Sequence, residues 1–150
     1  MALVANAQGE QLILQIGNGA TPEVFTAVCT INTTRSLDLI ANASTQELAD
    51  CVTPSNPATT IRQIKSIDLK FTGAGITDAT SFNTTLLPWW QAGTAKNCKI
   101  VQNRTGANGG FTFSLAMVVT AMNTGGPRGD QQSFTGTFEA AGAITYAQNA

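Results

Sequence analysis

Apolar and polar side chains alternate along most of this chain. Leu12, Leu14 and Ile16 fall on one side and Ile13 and Gln15 on the other, and the run stops at Gly17-Asn18-Gly19, a tight-turn signal. After Pro22, Phe25, Ala27, Cys29 and Ile31 alternate with Thr26 and Thr30, which predicts a second strand. The same period returns in Ile67, Leu69 and Phe71 around Asp68 and Lys70, and most clearly in Phe111, Phe113, Leu115, Met117 and Val119. The turn-forming stretch 123–130 follows, then Phe134, Gly136 and Phe138 alternate with Ser133, Thr135 and Thr137 to complete a long antiparallel hairpin. Ile144-Thr145-Tyr146 predicts one more short strand.

One segment has a helical period instead. Asp78 or Thr80 can cap it, and Phe82, Leu86 and Trp89 or Trp90 form an apolar stripe that ends before Gly93. These four residues are the expected anchor of the helix. Adjacent helical residues point about 100° apart, so one of the two tryptophans anchors and the other reaches a rim or a neighbour. Pro88 lacks a backbone donor and crowds Thr84, which predicts a kink or an irregular turn there. Between Arg35 and Thr60 the alternation decays into Ser, Thr and Asn with Pro54 and Pro57, so a long loop over about 37–60 is predicted. A loop of that length in a compact domain usually has a task, which makes Leu37, Asp38, Glu47, Asp50, Pro54 and Pro57 candidate contact residues.

These elements predict a mainly β fold, a β-sandwich or small barrel of antiparallel strands with one flanking α-helix. At 150 residues the chain fits a single domain. Charged residues make up 11% of it, well below the usual share of about 25%. Thr and Asn supply the polar surface instead, and such groups lose less hydration and side-chain entropy when another subunit covers them. The 8 Lys and Arg are scattered and the net charge is −1, so no face carries the cation cluster that tight DNA binding needs.

Candidate chemistry is sparse. With no His, the commonest general base and metal ligand is missing, and neither a cofactor nor a metal is expected. Cys29, Cys51 and Cys98 are far apart and read as buried or semi-buried free thiols of a reducing cytoplasm. Gly73-Ala74-Gly75 lacks the third glycine of a dinucleotide-binding turn and reads as a plain strand-to-helix turn. Arg128-Gly129-Asp130 matches an adhesive tripeptide, yet Gly and Asp are what a hairpin tip requires. Nothing in the carboxylate spacing demands a hydrolytic acid pair, so no catalytic residue is assigned. The opening residues show neither a basic leader nor a long apolar run, and neither secretion nor a membrane partner is expected. The sequons at Asn32, Asn42, Asn83 and Asn103 then read as chance.

The order of parts resembles the tail tube proteins of long-tailed, siphovirus-like bacteriophages. The resemblance rests on the opening strand, the Gly-Asn-Gly turn, the phrase Glu23-Val24-Phe25-Thr26-Ala27-Val28 and the long polar segment. It continues through the charged alternating strand, a helix closing in Gln91-Ala92-Gly93-Thr94 before Lys99-Ile100-Val101, and the late strand pair. It implies a structural virion protein without catalytic residues, assembled in the host bacterial cytoplasm. Six copies form a ring whose sheets join into a continuous barrel, and rings stack into a tube that conducts the genome. Carried over by position, the 37–60 loop contacts an adjacent ring, and an N-terminal arm over 1–10 and a C-terminal arm over about 140–150 bridge subunits. Further implied partners are a tape measure protein, tail terminator or tip proteins, and double-stranded DNA that passes without specific binding. Two rival readings stand beside this one: the inner tube of a contractile tail or type VI-like device, and a monomeric β-sandwich that binds carbohydrate on Trp89 or Trp90.

Overall fold

The computed structural model describes Asn6 and residues 8–150; most of the expected N-terminal arm, 1–5 and 7, lies outside the described residues. The strands are β1 (Leu12–Gly17), β2 (Phe25–Ala27), β3 (Thr34–Leu48), β4 (Thr59–Ile76), β5 (Lys96–Gln102), β6 (Phe111–Gly125), β7 (Ser133–Ala140) and β8 (Thr145–Gln148). They form one antiparallel sheet in the order β2-β1-β5-β6-β7-β4-β3, with β8 pairing β6 beside the end of β7. The sheet curls, because its opposite sides meet. Arg35 on β3 donates through Nη1 to the Gly9 carbonyl just before β1, at 3.4 Å. The strap 28–33 bridges the same gap, with Val28 N–H donating to Leu14 O and Thr33 N–H to Ala74 O, both at 3.1 Å.

Strand β2 stops at Ala27 rather than running on to Ile31 as the alternation predicts, because the chain turns there to cross over β4. Gly73 and Gly75 make that crossing possible. A Cβ on Gly75 would stand 2.3 Å from the Thr30 carbonyl, and one on Gly73 would stand 2.7 Å from Ile31. The Gly-Ala-Gly segment is therefore part of strand β4, not a strand-to-helix turn. Asn32 completes the joint, accepting from Ile76 N–H and donating to Ile76 O. Strand β5, which the periodicity leaves unassigned, lies in the middle of the sheet and buries Cys98 and Ile100.

The helical segment packs on the concave face. Asp78 caps α1 (Ala79–Ser81) by accepting from Thr80 N–H. A π-helical stretch, Phe82–Leu86, then leads into α2 (Leu87–Ala92). The wider turn is where Pro88, with no N–H to offer, is absorbed; Leu87 N–H reaches back to Phe82 O. Gly93, at φ 64°, ends the helix in the left-handed region. Leu86 and Trp89 are buried, and Trp89 stacks on Phe138 at 5.6 Å while its Nε1 donates to Thr94 O at 2.8 Å. Phe82 meets Phe134 edge-on at 5.8 Å. Trp90 is 55% exposed, the tryptophan of the pair that stays at the surface.

Candidate assembly interface

The segment 37–60 is not a loop. It belongs to a hairpin in which β3 and β4 pair from Thr34↔Ala74 to Leu48↔Thr59, and only 49–58 form the turn. The alternation decays there because this ribbon has no core to face on either side. Strand β7 pairs β4 only from Lys70 to Ile76, so beyond Lys70 the ribbon leaves the sheet with both of its outer edges unpaired among the described residues. Both faces of β4 from Thr59 to Ile67 are exposed.

Its sequence is not that of a solvated hairpin. Leu39, Ile64 and Ile67 are 64%, 61% and 73% exposed, and they lie on the face that continues the core surface of Leu37, Leu69 and Phe71. Ile64 and Ile67, three apart, share that face only because a bulge at Asn42/Ala43 inserts one extra residue, Lys65, into β4. The other face carries Ile40, Leu48 and Ile61. A two-stranded ribbon is marginally stable in water, and an apolar one with free edges is a template for pairing. Of the expected contact residues, Leu37 packs at the edge of the core and Asp38 stands opposite Lys70. Glu47 faces Thr60 across the ribbon, and Asp50, Pro54 and Pro57 lie in the turn. They are strung along the ribbon and do not converge on a pocket. The exposed apolar residues that mark the surface were hidden from pattern reading by the bulge and the two-sided exposure.

The turn itself is ordered by its own bonds. The Asp50 carboxylate accepts from Val52 N–H at 2.8 Å and Thr53 N–H at 3.3 Å, and these two amides hold its pKa below the ordinary value. At the base of the ribbon, an apolar groove of about 580 Å³ opens between β4 and β8, lined by Ile64, Ile67, Phe113, Ile144 and Tyr146. The last residues, expected as a bridging arm, lie on their own domain. Strand β8 pairs β6, and Asn149 donates through Nδ2 to Gln102 O and Arg104 O at 2.8 Å while accepting from Thr112 Oγ1 at 2.7 Å. Burial pushes the Cys98 thiol up to about 12, whereas Cys29 and Cys51 are exposed, Cys51 at the ribbon turn. Among the described residues no group of three or more His, Cys, Asp or Glu is placed to hold a metal, and no helix is long and apolar enough to cross a membrane.

Solved structures share this fold. The tail of an empty gene transfer agent (GTA) particle, refined with helical C6 symmetry, superposes with a TM-score of 0.69 at 12% identity, covering 95% of this chain and 99% of that one. The native GTA virion gives 0.66 at 12% identity, with 95% and 99% covered. The SPP1 tail tube gives 0.59 at 11% identity, with 96% and 80% covered. No curated protein sequence matches the chain. A family model for phage tail tube protein matches residues 6–146, from before β1 through the start of β8 and so across both the curled sheet and its projecting ribbon: the chain belongs to the phage tail tube protein family.

Proposed function

We propose that copies of this chain close into six-membered rings that stack into the tube of a phage tail, through which the genome passes from capsid to cell. The observation that carries the reading is the ribbon. A subunit with an apolar two-stranded extension whose two outer edges are unpaired among the described residues is incomplete alone, and pairing with neighbours removes those edges. The structural likeness to a GTA tail of C6 symmetry supports six as the ring number. The ribbon, from 37 to 60 and on to Ile67, is the contact element in this reading, and the groove at its base receives a neighbour's backbone.

The wall chemistry suits a conduit. Duplex DNA adheres to surfaces in proportion to the phosphates neutralised, and 8 dispersed cations against 9 carboxylates give no basic track. The role is structural, and the virion tail is its place, with assembly in the host cytoplasm. A tape measure protein inside the lumen and terminator or tip proteins at the ends complete the partner set. The purified protein tests this reading: electron microscopy should show tubes with six-fold rings, whereas a chain that stays monomeric at high concentration and binds glycans would overturn it.

A further inference from the structure

The ribbon turn and the helix stand at opposite ends of the sheet. By register, the β1–β5–β6 ladder runs from Leu12↔Gln102 and Gln102↔Phe111 at one end to Ile16↔Cys98 and Lys96↔Met117 toward the other. Strand β4 leaves the sheet past Lys70 at the first end and enters the helix after Ile76 at the second. At the helix end lies a cavity of about 360 Å³ between β1–β2 and the helix. Ala27 and Val28 give it accessible apolar surface, Ile16 and Leu86 line it while 6% and 0% exposed, Thr84 lines its helix side, and Lys96 is the charged member of the lining. At the ribbon end stands Asp50-Cys51-Val52, with Val52 87% exposed and the Asp50 carboxylate fixed beside it by backbone amides.

We propose that the ribbon turn of one copy seats in the helix-side cavity of the next, Val52 entering against Ala27 and Val28 and the Asp50 carboxylate meeting the Lys96 ammonium. The proposal rests on the tube reading and names the acceptor surface within it. Three points favour this cavity. It has the complementary charge, whereas the neighbouring cavity that holds Phe25 and Asn97 contains the Glu23 carboxylate, which would repel Asp50. Glu23 also shares a small cleft with Lys96, but its oxygens are turned to Gly19 N–H and Asn97 Nδ2, while the Lys96 ammonium lies 5.9 Å from the Trp89 ring centroid. Last, a knob at one end and a socket at the other make a head-to-tail contact, which generates an open stack; the groove at the ribbon base lies at the knob's own end.

Cys51 makes the contact measurable with a native thiol. In a Cys29→Ser background, a Thr84→Cys substitution should let a short bis-maleimide join Cys51 to the introduced thiol of another copy once tubes form. Covalent ladders are expected for this variant and not for an Ala143→Cys control, since Ala143 lies in the Glu23 cavity and the basal groove. Asp50→Lys and Lys96→Glu should each raise the critical concentration for assembly about tenfold, and the double exchange should restore it. Tubes that form without Thr84-dependent ladders, or a double exchange no better than the single ones, would overturn the socket while leaving the tube intact. A wild-type chain that makes no tubes would remove both.

Discussion

Trp89 and Trp90 are adjacent and chemically identical, and the fold assigns them opposite fates. Trp89 is 1% exposed, stacked on Phe138 and hydrogen-bonded through its indole nitrogen, so Trp89→Ala should cost about 3–5 kcal/mol in urea unfolding. Trp90→Ala should stay within about 0.5 kcal/mol. Thr30 is fully buried with no partner for its Oγ1 among the described residues. Thr30→Val removes that unmet group at nearly constant shape and should stabilise the subunit by about 1 kcal/mol; a lower unfolding midpoint would show that the hydroxyl is bonded after all. The cysteines divide in the same way. Maleimide at neutral pH should label Cys29 and Cys51 and spare Cys98 in the folded chain. Because the folded Cys98 pKa is raised from 9.0 to about 12, its neutral form is the favoured one. The stability it contributes is complete below 9.0 and is lost as pH climbs toward 12, so the stability difference between wild type and Cys98→Val should be flat below 9.0 and shift against the wild type above it.

At the scale of elements, the ribbon separates folding from assembly. Ile64→Asp combined with Ile67→Asp alters side chains that are already solvated, so the unfolding midpoint should hold while filament formation is lost. Shortening the hairpin between Asn42 and Ser66, where the two strands still pair, should likewise leave a folded subunit, read by circular dichroism, that no longer polymerises. The strands with one buried face were legible from alternation: β1, β6 and β7 stand where the period placed them, and the helix starts at Asp78 and stops at Gly93 as its cap residues indicated. The ribbon was not legible. Period 2 reports burial on one side, and Thr34–Leu48 is bound by pairing with β4 while burying almost nothing, so its sequence carries no alternation to read. The helix stripe named Phe82, Leu86, Trp89 and Trp90 as candidate anchors alike and could not rank Trp89 over Trp90, because a π-helical turn shifts the phase of everything after it. Gly73 and Gly75 were seen as a turn because nothing local reveals that a strap from 45 residues earlier in the chain, Thr30 to Gly75, must cross them.

The whole molecule has a small core and a large unfinished surface. Among the described residues, thirteen buried apolar side chains, Phe71, Phe134, Phe138 and Trp89 among them, hold the curled sheet under its helix. The ribbon, the basal groove and the helix-side cavity stay open to neighbours. Tube assembly driven by apolar burial should depend strongly on temperature, and the Asp50–Lys96 pair proposed at each contact should make it weaken modestly from low to moderate salt. Light scattering at a fixed protein concentration reads both dependences. The most direct measurement is cryo-electron microscopy of the purified protein with helical reconstruction: stacked six-fold rings, each ribbon lying against neighbouring subunits with Ile64 and Ile67 covered, are expected. Discrete monomers, or polymers in which the ribbons project free into solvent, would contradict assembly through this element.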